Sequence, residues 1–231
     1  MRGGCAWRLL PHEFPPWQTI YHYFRTWRLD GTWERINSVL RKRVRAMAGR
    51  EATPSAAIMD SQSARTTEKG GARGYDGTKK INGRKRHLLV DTGRLVMKPR
   101  AHPADLADRG GARMVLDRVD ESFPDLRHLW ADAGYRGADL RRWITERLGL
   151  SLEILQRRSW WVWVRNDMEP EPITRGFEVI RRRWVVERTF AWICRNRRMS
   201  RDYEFLAQTT EALLYVTMIR LMLRRLAQVA S

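Results

Sequence analysis

Two short apolar runs, each closed by an aspartate, constrain this chain more than any other feature. Ala56-Ala57-Ile58-Met59 ends in Asp60, and the run from Leu126 to Ala131 ends in Asp132. Runs this short and apolar read as buried strands. Between them lie two β-rich stretches, about 85–90 and 95–100, joined by Asp91-Thr92-Gly93, which is a hairpin signal. Residues 104–119 read as helical. After the second aspartate come an amphipathic helix over 138–148, a strand over 152–156 and a loop bearing Pro170 and Pro172. Helices over about 177–195 and 206–227 close the chain. A hairpin followed by strand–helix alternation implies an α/β fold, a mixed sheet flanked by helices.

The 231 residues suffice for one such domain and a smaller appendage. Residues 1–52 have a different texture, aromatic and basic. They read as a small helical segment, with residues 51–55 as linker and 53–231 as the main domain. Thr32 is the expected N-cap of a helix running to about Met47. Trp17, Tyr21, Phe24 and Trp27 follow helical spacing and read as core, while Arg41, Lys42, Arg43 and Arg45 are expected to face a polyanion.

Charge narrows the partners. Forty-four basic residues against 26 acidic ones give a net charge of +18, which attracts nucleic acid through its phosphates. Cys5 and Cys194 lack metal-site spacing and fit a reducing compartment. The run from Ala212 to Leu223 is broken by Arg220 and too short to span a bilayer. The first ten residues contain no secretory apolar core. The expectation is a cytoplasmic, nucleoid-associated protein with no membrane partner.

The acids suggest chemistry. Ligands of open α/β sheets gather at strand carboxyl ends, where Asp60 and Asp132 are expected. Taken alone, either is equally a turn or N-cap aspartate. Glu187 falls in the series Ile180, Trp184, Glu187, Ala191, Cys194, which steps along one helix face. A carboxylate buried in that seam must pair, for instance with Arg183, or bind a metal. Three carboxylates would make an oxygen-only site for Mg²⁺ or Mn²⁺, and two such ions can drive in-line displacement at phosphorus. From Arg65 to Arg100 there are eleven basic residues and three acids. Lys79, Lys80, Arg84, Lys85 and Arg86 follow Asp60 and read as phosphate grips, with Arg136 and Arg183 beside the other two acids. Trp160, Trp161 and Trp163 read as a core edge or as a base-stacking platform. His87 and His102 are weak metal-ligand candidates.

The motifs, taken in order, resemble the catalytic blocks of DDE insertion-sequence transposases of the insertion-sequence-five group, within the four/five superfamily. Met59-Asp60-Ser61-Gln62-Ser63, Thr66-Thr67-Glu68-Lys69-Gly70-Gly71 and the stretch from Gly83 to Thr92 are similar to the first block. Ala131-Asp132-Ala133-Gly134-Tyr135-Arg136-Gly137 resembles the second, and the stretch from Arg182 to Trp192 the third. The segments Trp7-Arg8-Leu9-Leu10-Pro11 and Phe14-Pro15-Pro16-Trp17 resemble the family's leading domain. The resemblance implies a ribonuclease-H-like core, with Asp60, Asp132 and Glu187 as catalytic and metal-binding triad, two Mg²⁺ or Mn²⁺ ions, and cutting and joining of double-stranded DNA. It also implies a homodimer or larger assembly at the paired ends. Arg183 matches the arginine before the glutamate of the wider superfamily's third block. Ile180 and Cys194 stand where that block carries tyrosine and lysine, so Arg195 or Arg198 would have to act for the latter. The family's leading domain usually starts well before Trp7, which implies a shortened DNA-recognition segment. A metal-dependent nuclease, or an inactive DNA-binding remnant, shares most of these features.

Overall fold

The computed structural model describes residues 2–69, 71–155 and 183–228. A short 3-10 turn at Trp7–Leu9 precedes α1 (Trp17–Leu29) and α2 (Thr32–Met47). Then come β1 (Ala56–Arg65), β2 (Gly74–Asp76), β3 (Ile81–Asp91) and β4 (Val96–Pro103), followed by α3 (Asp108–Leu116) and α4 (Val119–Ser122). Strand β5 (His128–Ala131), a 3-10 turn at Ala133–Tyr135, α5 (Ala138–Leu148) and β6 (Ser151–Ile154) follow. The remaining elements are α6 (Arg183–Cys194), α7 (Arg197–Ser200) and α8 (Ala207–Ala227).

One mixed sheet runs β2-β3-β1-β5-β6, with β4 also paired to β3. β3 is antiparallel to β1, β2 and β4, whereas β5 is parallel to both β1 and β6. This is the mixed α/β sheet flanked by helices expected from the sequence. Side chains alternate across a strand, so β1 feeds two cores. Ala57 and Met59 pack with Ala112, Val115, Leu140 and Ile144 of α3 and α5. Ile58 packs with Val186, Phe190 and Ile193 of α6 and with Leu214 and Met218 of α8. Phe24, Leu40 and Val44 of α1 and α2 join this second core. Asn37 donates to the Val96 carbonyl at 2.9 Å, and Arg45 pairs with buried Asp91 at 2.8 Å. A boundary at residue 52 therefore divides the chain without dividing its cores. Arg41 and Arg45 are buried, and only Lys42 and Arg43 of the expected quartet face solvent.

Several element boundaries differ from expectation. β1 does not stop at Asp60 but continues to Arg65, because β3 pairs with it from Ala57↔Asp91 to Arg65↔Gly83. The helix expected over 104–119 is two pieces, broken at Arg118, whose φ is 53°. Thr32 is the first helical residue, not the cap; Asp30 accepts its N–H at 2.9 Å. The loop with Pro170 and Pro172, the three tryptophans at 160, 161 and 163, and the start of the helix expected from 177 lie outside the described residues.

β3 corrects the largest charge expectation. It lies between β1 on one side and β4 and β2 on the other, and both its faces are covered, so its basic residues are buried. Arg84 and Arg86 point to the α6–α8 side. Arg84 pairs with buried Asp202 at 3.1 Å and donates to the Ala72, Glu204 and Phe205 carbonyls. Arg86 donates to the Met199 and Arg201 carbonyls. Lys85 points the other way, to Asp108 at 3.1 Å and the Leu106 carbonyl at 3.0 Å. None of the three reaches solvent to grip a phosphate. A run of charges inside a β-rich stretch gives no clue that the strand is central until its neighbours are known.

His87 shares the Lys85 face. Its ring stacks on His102 with centroids 4.8 Å apart, and its Nδ1 lies 2.8 Å from the Tyr135 hydroxyl. Gly111 of α3 covers both rings so closely that a Cβ there would lie 2.2 Å from His87 Nε2. Burial, and then the neighbouring His102, hold the His87 pKa well below its ordinary value; burial lowers that of His102 as well. The unfolded chain takes up protons near pH 6.5 while these folded imidazoles resist them. Their contribution to stability is therefore complete above that pH and lost as pH falls below it, by up to about 1.4 kcal/mol per pH unit per histidine. Urea melts of the wild type at pH 7.5 and 5 are expected to show this loss, and His87→Gln a smaller one. An equal loss in the variant would acquit His87.

Candidate active site

Parallel pairing of β1 with β5 ends at Met59↔Ala131. Asp60 and Asp132 are the next residues on the two strands, so they stand side by side, about 4.8 Å apart in backbone spacing. Asp60 shares the parity of Ile58 and Gln62, and so projects to the side that α6 covers, where Cys194 Sγ lies 3.5 Å from Gln62 Oε1. Each carboxylate is aimed by its own backbone. The Ser61 N–H donates to Asp60 at 2.7 Å, and the Gly134 N–H donates to Asp132, which caps the 3-10 turn, at 2.9 Å.

A third acid stands beside them. Asp108, the first residue of α3, accepts the Ser61 hydroxyl at 2.9 Å and pairs with Lys85. A Cβ on Gly134 would lie 2.7 Å from Asp108 Oδ2 and 3.1 Å from Asp132 Oδ1, so the two carboxylates flank this glycine. Buried Tyr135 records the accumulated charge. Its phenol is pushed well above the ordinary range by burial, then by Asp60 and Asp108, with Asp132 adding to them. An acid at a helix start is commonplace, and nothing in the sequence marks Asp108 as part of the site.

Glu187 requires a correction. It does not lie in a buried seam: Trp184, Glu187 and Ala191 are on the exposed side of α6, while Val185, Val186, Thr189, Phe190 and Ile193 face the core. Both series step by three and four. The aliphatic one wins because it removes more apolar surface from water without burying a carboxylate. Glu187 is thus carried by the helix that covers the Asp60 side of the sheet, but on its solvent flank.

The remaining cations differ in placement. Exposed Lys79 reaches back from the β2–β3 connection to the Ser61 carbonyl at 3.2 Å, one residue from Asp60. Lys80 and Arg136 are exposed. Arg183 begins α6, and its side chain lies outside the described residues.

The donor set suits a hard divalent cation. Asp60 and Asp132 offer only oxygen, and two adjacent like charges are unfavourable until a cation lies between them. The geometry as it stands supplies this pair and no more. Among the described residues no three His, Cys, Asp or Glu side chains are arranged to hold a metal ion.

The transposase DDE domain family matches residues 51–222, and the family described as "Putative transposase of IS4/5 family" matches residues 1–37. No curated protein sequence matches significantly. Among solved structures, the catalytic core domain of BIV integrase aligns over 77% of this chain and 99% of its own, with 11% identity and a TM-score of 0.41. No described helix is long and apolar enough to cross a membrane.

Proposed function

Because the chain belongs to the transposase DDE-domain family, in its IS4/5 branch, we propose that it cuts double-stranded DNA at insertion-sequence ends and joins the freed 3′-hydroxyl to target DNA. The observation that carries this reading is the register that sets Asp60 beside Asp132 on the side of the sheet covered by the helix of Glu187.

In this reading Asp60 and Asp132 hold Mg²⁺ or Mn²⁺, and Glu187 completes the set by turning its side chain from the flank of α6. A bound pair of ions supplies Lewis-acid stabilisation of the phosphoryl oxygens and an activated attacking oxygen. The protein's own part is positioning and charge. The amides of Ser61 and Gly134 fix the carboxylates. Lys79, Lys80, Arg136 and Arg183 steady the phosphates on either side of the scissile bond. Residues 1–52 add a further DNA contact, and the active form is a homodimer or larger. The protein works in the cytoplasm, on the nucleoid.

Joining separates a transposase from a nuclease that shares its acids. Duplex carrying a pre-cut insertion-sequence end, a supercoiled target and Mg²⁺ are expected to give end–target joints, resolved on a gel. Cutting of uncut ends without any joints from pre-cut ends would replace this reading with that of a nuclease.

A further inference from the structure

The outer flank of α6 carries an arrangement the cutting reaction does not use. Trp184, 39% exposed, and Trp192 lie on this helix between three arginines from three elements. The guanidinium carbon of Arg94, at the tip of the β3–β4 hairpin, is 4.3 Å from the Trp184 ring centre and 5.9 Å from that of Trp192. Arg188 lies 5.7 and 5.9 Å from the same rings. Arg225 of α8 lies 4.8 Å from Trp192. These are cation–π distances.

Three like charges, Arg94, Arg188 and Arg225, gather around these two rings. None of the ion pairs found among the described residues engages Arg94, Arg188 or Arg225. The nearby Asp91 carboxylate is already held by Arg45 at 2.8 Å. Burial, and then the charge of Arg94, push the Arg225 pKa down. A stacked guanidinium keeps N–H edges available for bonds to phosphate, although Arg225 already donates one N–H to the Gly93 carbonyl at 3.5 Å. Arg94 carries a further mark. Its φ is 69°, a left-handed conformation that favours glycine, yet an arginine stands there. Unfavourable backbone at one residue points to a use for its side chain.

We propose that Arg94, Arg188 and Arg225, braced by Trp184 and Trp192, form a second DNA-binding surface that grips the phosphate backbone of duplex DNA beyond the cutting site. Arg188 follows Glu187 directly, so duplex engaged at the acids continues across this flank toward the hairpin. The surface rests on the reading of the chain as a DNA-acting enzyme, but its test does not depend on cutting.

The test is binding of a random-sequence 30-base-pair duplex to the full chain in EDTA, followed by fluorescence anisotropy at a series of salt concentrations. Each phosphate contact contributes about 0.9 to the slope of log affinity against log salt, equivalent to about eightfold in affinity at 0.1 M salt. Arg188→Gln and Arg94→Gly are each expected to lose that much slope. Arg94→Gly also relaxes the turn, so its melting temperature is expected to stay within a few degrees of wild type. Wild-type slope and affinity in both variants would overturn the proposal and leave the cluster as a clamp between hairpin and helices. Should Arg94→Gly melt early, Arg188→Gln, exposed and outside any of the ion pairs found among the described residues, decides alone. Arg118→Gln, exposed at the α3–α4 break and outside both surfaces, is the reference and is expected to bind with wild-type slope. Cutting by Asp60→Asn would end the reading of the acids while leaving this surface standing.

Discussion

Asp60→Asn is expected to lower Mg²⁺-dependent cutting of end DNA by at least about a thousandfold, equivalent to about 4 kcal/mol of lost transition-state stabilisation. The change keeps the size of the side chain and leaves an oxygen to accept the Ser61 N–H, so the strand is undisturbed. It removes one of two neighbouring like charges whose mutual repulsion a bound cation would offset. Two readouts separate a lost metal site from a lost fold. Without divalent metal the variant is expected to melt at or above the wild-type temperature, because repulsion beside Asp132 is relieved. On adding Mg²⁺ or Mn²⁺ the wild type is expected to gain melting temperature and the variant not, since a ligand stabilises only the state that binds it. Cutting at near wild-type rate by the variant contradicts the assignment of Asp60.

The largest effect on stability is expected at a residue far from that chemistry. Asp202 is fully buried and bound on every side. Arg84 lies 3.1 Å away and Arg86 3.8 Å, while the Thr210 hydroxyl is 2.9 and 3.0 Å from its two oxygens and the Glu204 N–H donates at 3.1 Å. Its backbone N–H donates to the Arg65 carbonyl at 2.8 Å, tying the α7–α8 connection to the end of β1. Asp202→Ala leaves two buried guanidiniums without their counter-charge, a loss of about 3–5 kcal/mol. In a chain of this length that lowers the melting temperature by roughly 10 °C or more. Asp202→Asn keeps the shape and is expected to fall less far. A midpoint unchanged from wild type in a urea melt of Asp202→Ala would show that the arginines find other partners.

Much of the fold was legible because apolar period and turn chemistry are local. The runs before Asp60 and Asp132, the hairpin at Asp91-Thr92-Gly93 and the helix after Gly137 all formed near their expected places. Features that depend on distant chain were not legible. Arg84, Lys85 and Arg86 read as a surface cluster because the sequence does not show that β3 is covered on both faces. Glu187 read as a seam residue because two helical stripes with the same spacing cross in α6, and only contact with β1 and α8 chooses between them. Asp108 went unseen because its closeness to Asp132 arises from the packing of α3 beneath the turn at Gly134. The two strand acids stood out on a local pattern, and their juxtaposition follows from parallel pairing of β1 with β5, which no local pattern encodes.

The ladder that joins β1 to β5 has a mechanical meaning for the acids it carries. Asp60 and Asp132 are spaced by main-chain hydrogen bonds, which yield little when side chains change. The position of Glu187 depends instead on how Val186, Phe190 and Ile193 seat α6 against the sheet, and packed helices slide by small steps where strands do not. One wall of the site is fixed and the other adjustable. In the proposed reading, conservative swaps under α6 that scarcely alter stability shift turnover, and DNA held at the proposed flank of that helix has a direct route to the distance between Glu187 and the two strand acids.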